Sequence, residues 1–427
     1  MTDAIDVAVR PLFPALTRTE EGRPAVFLDG PGGSQMPAAA IDAMAGLLRA
    51  GTANDGGVFA TSRETIELIA RARRAAAVFT GSAPEEIAFG ANMTTLNFLL
   101  AHAVARTLEP GDEIVVTELD HDANVAPWLT VAADHGLVVR TAPLTAEATL
   151  DTDALEALIG ERTRIVAFTL ASNAVGSVTD ARRIADAAHR AGALAWADAV
   201  HFAPHRRPDR RALGVDVLLC SPYKFFGPHL GVAAIRRDLA ERWPADRVRP
   251  ASEEPPGHRF ETGTPSFEAL AGFVAAVDYL GSLGTGDDLD ARLDVAYARI
   301  RAHEDELGRH VLERLSAIDG LTLYGIADPA RLADRTPTFC FTLASATPRA
   351  ITEHLAGRGI FAWDGNYYAL SLMQALALEE RGGAVRAGFL HYNTLEEADR
   401  LADAVAELAD GAAVVTASTP RRDEAPA

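Results

Sequence analysis

The stretch GVDVLLCSPYKFFGPHLG, residues 214–231, decides how the rest of the chain is organised. A short apolar run, Val215–Cys220, precedes Ser221 and Lys224, and glycine and proline residues follow. This pattern predicts a buried strand that delivers a lysine into a loop. Lys224 is the one lysine of the sequence, so 39 of its 40 lysine and arginine residues are arginine. An arginine side chain stays protonated, whereas a lysine amine can lose its proton and form a Schiff base with an aldehyde.

The composition is typical of a globular protein with a large core. The chain has 427 residues, of which 48% are hydrophobic and 23% charged, and this length allows two domains. The net charge of -19 argues against a nucleic acid or an anionic membrane as partner, because both attract basic patches. No segment offers the roughly 18 consecutive apolar residues that a membrane helix needs.

Both cysteines of the chain, Cys220 and Cys340, lie in apolar runs typical of strands. This placement predicts buried free thiols, which are common in the reducing cytoplasm. The first residues, MTDAIDVAVRPLFPAL, contain an early acid and no long apolar run, so no signal peptide is predicted. We therefore expect a cytoplasmic protein.

Short apolar runs alternate with helical patterns from residue 87 onward. The runs are Ile87–Phe89, Glu113–Thr117, Leu137–Arg140, Arg164–Leu170, Ala193–Asp198, Val215–Cys220 and Gly231–Ile235. Such alternation predicts an α/β fold in which a mostly parallel sheet is covered by helices on both faces. Ligands of such sheets bind beyond the carboxyl ends of the strands, so the residues that follow each run are the candidates for a site.

The pattern changes after residue 285. A long helix is predicted from Leu289 to Ile318, and strands at Leu321–Tyr324, Thr338–Leu343 and Val385–Leu390 predict a smaller α+β unit. We expect a large domain over residues 30–285 and a small domain formed by residues 1–29 and 286–412. Residues 413–427 are predicted to be a disordered tail.

Polar residues follow the predicted strands. Asn92 is placed to cap a helix whose first N–H groups, at Met93 and Thr94, would bind an anion, although a capped helix without a ligand explains the same residues. His121 follows the next run and is placed to lie flat on an aromatic cofactor, although an ordinary loop histidine explains the same position. Asn173 offers a hydrogen-bonding group, and Asp198 requires a cationic partner because an unpaired buried carboxylate is costly.

These groups fit one ligand, pyridoxal phosphate. Lys224 would bind the aldehyde of this cofactor. Asp198 would pair with the protonated pyridine nitrogen, which makes the ring an electron sink. Thr94 and Ser221, together with backbone N–H groups, would bind the phosphate.

Other chemistries fit the sequence less well. His201 and His205 are four residues apart, but Pro204 between them disfavours the helix that a zinc site of this spacing needs. No G-x-S-x-G motif is present to place a hydrolase nucleophile. We predict no metal site.

The set of candidate residues resembles the class V aminotransferases, and in particular their cysteine desulfurase-like branch. The resemblance covers nearly the whole chain, including LDGPGG (Leu28–Gly33), RFETGTPS (Arg259–Ser266) and RAGFLHYNTLEEADRL (Arg386–Leu401). It implies the fold of fold-type I pyridoxal-phosphate-dependent transferases: a large domain with a mostly parallel seven-stranded sheet and a smaller C-terminal α+β domain.

The resemblance also implies roles for individual residues. Lys224 would form the Schiff base with the cofactor, and His121 and Asp198 would contact the cofactor ring. The remaining cofactor-binding residues implied are Met93, Thr94, Asn173, His201, Ser221, Tyr223 and Thr264. Thr264 would reach the phosphate of the neighbouring subunit, which implies a homodimer with active sites at the interface. Arg386 would bind the carboxylate of an amino acid substrate, and Gly32 and Tyr368 would also contact that substrate.

The sequence departs from the desulfurase pattern at three places. His201 stands where desulfurases have glutamine, and Tyr223 stands where they have histidine. Desulfurases carry a persulfide-forming cysteine in the loop that corresponds to FAWDGNYYAL (Phe361–Leu370), where this chain has Tyr368 and no cysteine. Because the two cysteines lie in predicted strands, neither offers the mobile thiolate of persulfide chemistry.

Removal of the substrate α-proton by Lys224 leaves several outcomes open. We expect β-elimination with C–S cleavage first, because it needs no thiol, and we keep transamination and epimerisation as alternatives. Trp363, Tyr367 and Tyr368 indicate a bulky or apolar substrate side chain, although packing within the protein explains the same residues. The alternative from another functional class is a binding protein that has this fold but catalyses no reaction. The joint presence of Lys224 and Asp198 argues against this alternative.

Overall fold

A seven-stranded sheet lies at the centre of the larger part of the computed structural model, which describes residues 5–409. Its strands, in spatial order, are Ile87–Gly90, Gly231–Ile235, Val217–Cys220, Leu194–Asp198, Thr163–Thr169, Glu113–Thr117 and Val138–Ala142. Gly231–Ile235 is antiparallel to both of its neighbours, and the other pairs are parallel. The mostly parallel sheet predicted from the sequence is therefore confirmed.

Helices cover both faces of this sheet, and several of them begin at a polar side chain that caps the first turn. Asn92 Oδ1 accepts from Thr95 N, and Asp180 and Ser266 cap later helices in the same way. The helices outside the small sheet are Ile5–Val9, Ala38–Ala50, Ala60–Phe79, Met93–Ala105, Ala126–His135, Thr152–Leu158, Ala181–Arg190, Arg210–Leu213, Arg237–Arg242, Phe267–Ser282 and Leu289–Ser316.

Two apolar layers hold these helices against the sheet. On one face Phe79 stacks on Phe225, with ring centroids 4.6 Å apart. On the other face Trp196 lies edge-on to Trp128 at 4.9 Å. Gly272 permits close helix packing, since a Cβ there would lie 2.7 Å from Cγ of Met44.

A second, antiparallel sheet follows the long helix Leu289–Ser316. Its strands, in spatial order, are Leu321–Tyr324, Thr338–Leu343, Ala384–Gly388 and Trp363–Gly365. Helices Pro348–Ala356, Leu370–Ala375 and Leu395–Ala409 accompany it. The N-terminal strand Val26–Phe27 pairs with Ile360–Phe361, so the first residues of the chain pack on this second unit.

Some expected boundaries differ from the structure. The last strand ends at Gly388 rather than Leu390 because the backbone there turns to pair with Leu28. Helices Ala126–His135 and Pro348–Ala356 each have a proline in the first turn, a position that tolerates proline. The predicted tail, residues 413–427, lies outside the described residues. Within residues 5–409, no helix is long and apolar enough to span a bilayer.

Candidate active site

Lys224 lies at the carboxyl edge of the large sheet, in the turn Pro222–Lys224 that follows strand Val217–Cys220. Its Nζ donates to the Pro31 carbonyl oxygen at 2.5 Å. Burial and the Arg386 guanidinium lower the pKa of Lys224 to about 7, although the carboxyl groups of Asp198 and Asp29 oppose that shift. The amine is therefore largely free of its proton slightly above neutral pH.

Asp198 ends the neighbouring strand and is 4% exposed. Its Oδ1 accepts from Val200 N at 2.8 Å. Burial raises the pKa of this carboxyl to about 6. No ion pair within residues 5–409 joins Asp198 to a cationic side chain, so the carboxyl group is suited to a cationic ligand atom.

His121 follows strand Glu113–Thr117 and presents a neutral ring. Its Nδ1 accepts from the backbone N–H of Ala123 at 3.0 Å, so the ring proton lies on Nε2. Burial, followed by the charges of Lys224 and Arg386, lowers the pKa of His121 to about 4. A flat uncharged ring of this kind can stack on an aromatic cofactor.

An anion site forms where strand Val217–Cys220 ends beside helix Met93–Ala105. Met93 N donates to Ser221 Oγ at 2.9 Å, which brings two of the predicted phosphate-binding residues together. Because Ser221 Oγ accepts this bond, its own hydrogen is available to a ligand. Thr94 lies exposed in the same first helical turn, where N–H groups favour anions.

Arg386 reaches the site from the small sheet. Its Nη1 donates to the Asn173 backbone oxygen at 2.9 Å, and its guanidinium carbon lies 4.3 Å from the centroid of the Tyr367 ring. Burial lowers the pKa of Arg386. Arg386 Nε and Asn173 Oδ1 are buried without hydrogen-bond partners among the described residues, which suits both atoms to bind a polar ligand. A Cβ on Gly32 would lie 3.7 Å from Arg386 Nη2, so the glycine borders the same space.

His201 lies buried where the two sheets meet. Its Nε2 is 3.1 Å from Thr338 Oγ1 and 3.3 Å from Thr336 Oγ1. Its ring is edge-on to His205 at 5.1 Å, and His205 Nδ1 is 2.9 Å from Glu304 Oε2. The two histidines thus have different partners, and no cluster of three His, Cys, Asp or Glu side chains suited to a metal was found in the described part of the chain.

Tyr223 and Thr264 differ in their relation to the residues around Lys224. Tyr223 stacks on His229 with ring centroids 4.7 Å apart, and its ring lies 4.7 Å from Lys224 Nζ. Thr264 is exposed in the loop that precedes helix Phe267–Ser282. Among residues 5–409, no hydrogen bond joins the Thr264 side chain to the residues around Lys224, so this subunit alone does not bring it to the site.

The loop that contains Tyr368 is fixed to the site on several sides. Tyr368 O accepts from Asp122 N at 2.7 Å, and Tyr367 O accepts from Asn173 Nδ2 at 2.9 Å. The Tyr368 ring stacks on His121, with centroids 5.5 Å apart at 28°. Tyr367 and Tyr368 both have positive φ values, 56° and 57°, which the surrounding contacts must enforce.

Asp29 is a site residue that the sequence analysis missed. Burial raises the pKa of its carboxyl group, while Arg386 and Lys224 lower it. Its Oδ1 is buried without a hydrogen-bond partner in the described residues. The signal was its place in LDGPGG, a glycine-rich turn in which Gly32 is implied by the family resemblance to contact the substrate.

The donor set fits pyridoxal phosphate. Lys224 offers an amine to the aldehyde, and Asp198 offers a carboxyl group to the ring nitrogen. His121 offers a flat neutral ring, and Ser221 with the first turn of helix Met93–Ala105 offers donors to the phosphate.

Comparison with known proteins agrees with this fit. The sequence model of the family described as Aminotransferase class-V matches residues 26–401. The chain is 32% identical to a probable cysteine desulfurase of Halalkalibacterium halodurans over 410 residues, covering 92% of this chain and 95% of that protein. It is 31% identical to probable cysteine desulfurase 1 of Mycobacterium leprae over 433 residues, covering 96% of this chain and 66% of that longer protein.

Solved structures show the same architecture. The apo cysteine desulfurase from Thermococcus onnurineus NA1 superposes with a TM-score of 0.84 at 25% identity, covering 95% of this chain and 98% of that one. The cysteine desulfurase CsdA from Escherichia coli gives a TM-score of 0.80 at 25% identity, with coverage of 95% and 98%. The chain therefore belongs to the class V aminotransferase family of pyridoxal-phosphate-dependent enzymes.

Proposed function

We propose that this protein is a C–S lyase that cleaves a sulfur-containing amino acid by β-elimination, without a persulfide on the protein. The observation that carries this proposal is the absence of an accessible thiol near Lys224. The sole cysteines of the sequence are Cys220 and Cys340, and both are 0% exposed.

The surroundings of the two thiols support this proposal. Burial raises the pKa of Cys340 to about 12, and burial together with Asp198 raises the pKa of Cys220 above its usual value. Cys340 lies inside strand Thr338–Leu343 and Cys220 ends strand Val217–Cys220, so strand pairing holds both backbones. A persulfide-forming thiolate needs a low pKa and access to the substrate sulfur, and neither cysteine has them.

The loop with Tyr368 supports the same proposal. Desulfurases of the resembling branch carry their reactive cysteine in this loop. Here the loop is bonded to Asp122 and Asn173, and Tyr368 presents an aromatic ring that is 72% exposed. The loop is thus built to line the site with an aromatic surface rather than to carry a thiol to the substrate.

The residues of the site have complementary tasks in such an elimination. Bound pyridoxal phosphate would supply the electron sink that acidifies the substrate Cα–H bond. Lys224 removes the α-proton, for which a pKa near 7 is well matched. Arg386 binds the substrate carboxylate with its fork of N–H groups. The C–S bond breaks with its electron pair on sulfur, and water hydrolyses the released enamine to a keto acid and ammonia.

Aromatic residues indicate the chemistry of the substrate side chain. The Trp363 indole lies against Gly32, where a Cβ would approach its Nε1 to 3.1 Å. Tyr367 packs under Arg386, and Tyr368 lies beside His121. We propose that the β-substituent on sulfur is bulky or apolar, because these rings would contact it beyond the carboxylate-binding arginine.

The reaction products test the proposed function directly. Holoenzyme incubated with cysteine and with S-alkyl and S-aryl cysteines is expected to release a thiol or sulfide, ammonia and pyruvate in equal amounts. The variant Cys220→Ala, Cys340→Ala should keep this turnover and lose only about 1 kcal/mol of stability for each small cavity. If the wild-type protein forms alanine instead of pyruvate and the double variant forms no alanine, the protein uses a persulfide mechanism. Keto acid without ammonia would identify a transaminase.

We also propose that the protein is a cytoplasmic homodimer whose subunits share their active sites, with domains at residues 30–285 and at 1–29 with 286–412. Apolar side chains are exposed on two adjacent helices and the loop between them: Ile41, Leu48, Val58, Phe59 and Ile66. We take these exposed apolar side chains, which lie close together in the sequence, as the candidate subunit interface. The exposed Thr264 would then complete the phosphate site of the neighbouring subunit.

Charge placed on this surface tests the dimer. The variant Val58→Asp, Phe59→Asp is expected to sediment as a monomer and to bind pyridoxal phosphate more weakly, because the contribution of Thr264 would be lost. Val248→Asp is a matched control at another exposed valine and should leave the dimer intact. A wild-type protein that sediments as a monomer with full cofactor occupancy would overturn the proposal.

A further inference from the structure

Asp120 is a buried acid that the proposed reaction does not use. It directly precedes His121 and is 1% exposed. Its Oδ2 lies 2.5 Å from Thr117 Oγ1, and its Oδ1 accepts from Asn124 Nδ2 at 2.8 Å. Both oxygens of the carboxyl group are therefore engaged by uncharged groups.

These contacts belong to a longer buried chain of hydrogen bonds. Asn97 Nδ2 donates to Asn124 Oδ1 at 3.1 Å, and Trp196 Nε1 donates to Asn97 Oδ1 at 2.9 Å. Asn97 lies on helix Met93–Ala105, which begins at the phosphate site, and Trp196 lies on the strand that ends in Asp198. The chain thus connects the elements that carry the anion site, His121 and Asp198.

No cation compensates Asp120. Within residues 5–409 no ion pair joins it to an arginine, lysine or histidine, and the charged group that acts on it most is another carboxyl, that of Asp198. Burial raises the pKa of Asp120 well above its usual value and Asp198 adds to this shift, although the hydrogen bonds from Asn124 and Thr117 oppose it. An ionised carboxylate in such a place is costly, whereas a protonated one satisfies the same two contacts.

Asp216, another buried acid of the same sheet, shows the contrast. Its oxygens contact Arg236 and, at 2.9 Å, His189 Nε2, and it also accepts from Ala195 N at 2.8 Å. Asp216 therefore has the cationic partners that Asp120 lacks.

We propose that Asp120 is a neutral carboxylic acid at neutral pH and acts as a positioning residue that fixes the turn of His121 without placing a second negative charge beside Asp198. As a neutral acid it donates its proton to Thr117 Oγ1, which also accepts from Leu119 N at 3.1 Å, and it accepts from Asn124 Nδ2. Of these two carboxyl groups, only that of Asp198 then contributes a negative charge to the ring-binding site. The positioning role of Asp120 rests on the proposed roles of His121 and Asp198. The protonation state of Asp120 does not depend on those roles.

Infrared difference spectroscopy on the apoprotein at pH 8 tests the protonation state. The spectrum of wild type minus Asp120→Asn is expected to contain the carbonyl band of a protonated carboxyl group, and wild type minus Asp216→Asn is not. The variant Thr117→Val should shift the band without removing it, because it deletes one hydrogen-bond partner. Absence of the band from the Asp120→Asn difference would overturn the proposal. This readout needs neither cofactor nor turnover, so it is independent of the proposed lyase activity.

The holoenzyme tests the positioning role. Asp120→Asn keeps both hydrogen bonds of a neutral acid and is expected to leave the dissociation constant of pyridoxal phosphate and the pH midpoint of its absorbance spectrum unchanged. Asp120→Ala removes the acceptor of Asn124 Nδ2 and should weaken cofactor binding by roughly 5- to 100-fold. If Asp120→Asn fails to fold, or shifts the spectral midpoint as a lost negative charge would, Asp120 is ionised and the inference is wrong.

Discussion

Replacing Lys224 by arginine is expected to leave a folded protein that cannot link its cofactor covalently and that loses turnover by about 10²- to 10⁴-fold. Arginine keeps the positive charge near Asp198 and Asp29 but has no nucleophilic amine and cannot accept the substrate α-proton. Borohydride reduction of wild-type holoenzyme followed by peptide mapping should place the cofactor on Lys224, the single lysine of the sequence. The arginine variant should show no such label.

Lys224→Ala is the matched control, because it should bind the cofactor without a covalent link. The pH dependence of cofactor capture by the apoprotein provides a second check. Since only the deprotonated amine attacks an aldehyde, the rate should rise as the pH increases towards about 7 and level off above it. A rate that keeps rising towards pH 10, as for an ordinary lysine, or a label confined to the N-terminal amine, would contradict the role of Lys224.

Replacing Arg386 by methionine is expected to lower kcat/KM by roughly 30- to 5000-fold, mainly through a higher KM. This range corresponds to the loss of about 2–5 kcal/mol when one partner of a buried, hydrogen-bonded charge pair is removed. The physical reason is that Arg386 Nε is buried without a hydrogen-bond partner among residues 5–409, so a substrate carboxylate is expected to supply one. Steady-state kinetics with an S-substituted cysteine and with its descarboxy amine will measure the effect.

Arg210→Met is the control for the loss of a buried arginine as such. Arg210 is also buried, but it already pairs with Glu86 at 2.8 Å within the protein. Its replacement should reduce thermal stability and leave KM unchanged. If Arg386→Met discriminates between the amino acid and its descarboxy amine as strongly as wild type does, Arg386 does not bind the substrate carboxylate.

The sequence alone was sufficient to predict the location of residues that come shortly after the end of a strand. Lys224, Asp198 and His121 each come shortly after an apolar run, and parallel strands deliver such residues to one edge of a sheet. The structure does bring these three together, and Ser221 meets the first turn of helix Met93–Ala105 as expected. Periodicity and the rule for parallel sheets determine these relations, so no knowledge of tertiary contacts was needed.

Other features of the site depend on contacts between distant parts of the chain. Asp29 approaches Arg386 only because the N-terminal segment pairs with the small sheet. The network of Asp120, Asn97 and Trp196 joins separate elements, and nothing in their local sequence reveals it. Thr264 stays a prediction from family resemblance, since a second subunit is required to show its role.

The loop of Tyr367 and Tyr368 has a consequence for how this chain could diverge in evolution. A cysteine at residue 368 would inherit a backbone bonded to Asp122, next to a residue bonded to Asn173. That single change supplies a thiol but no freedom of movement. A second change that loosens the loop has no benefit while Tyr368 remains. We therefore expect that a cysteine at residue 368 alone would not give this chain persulfide chemistry.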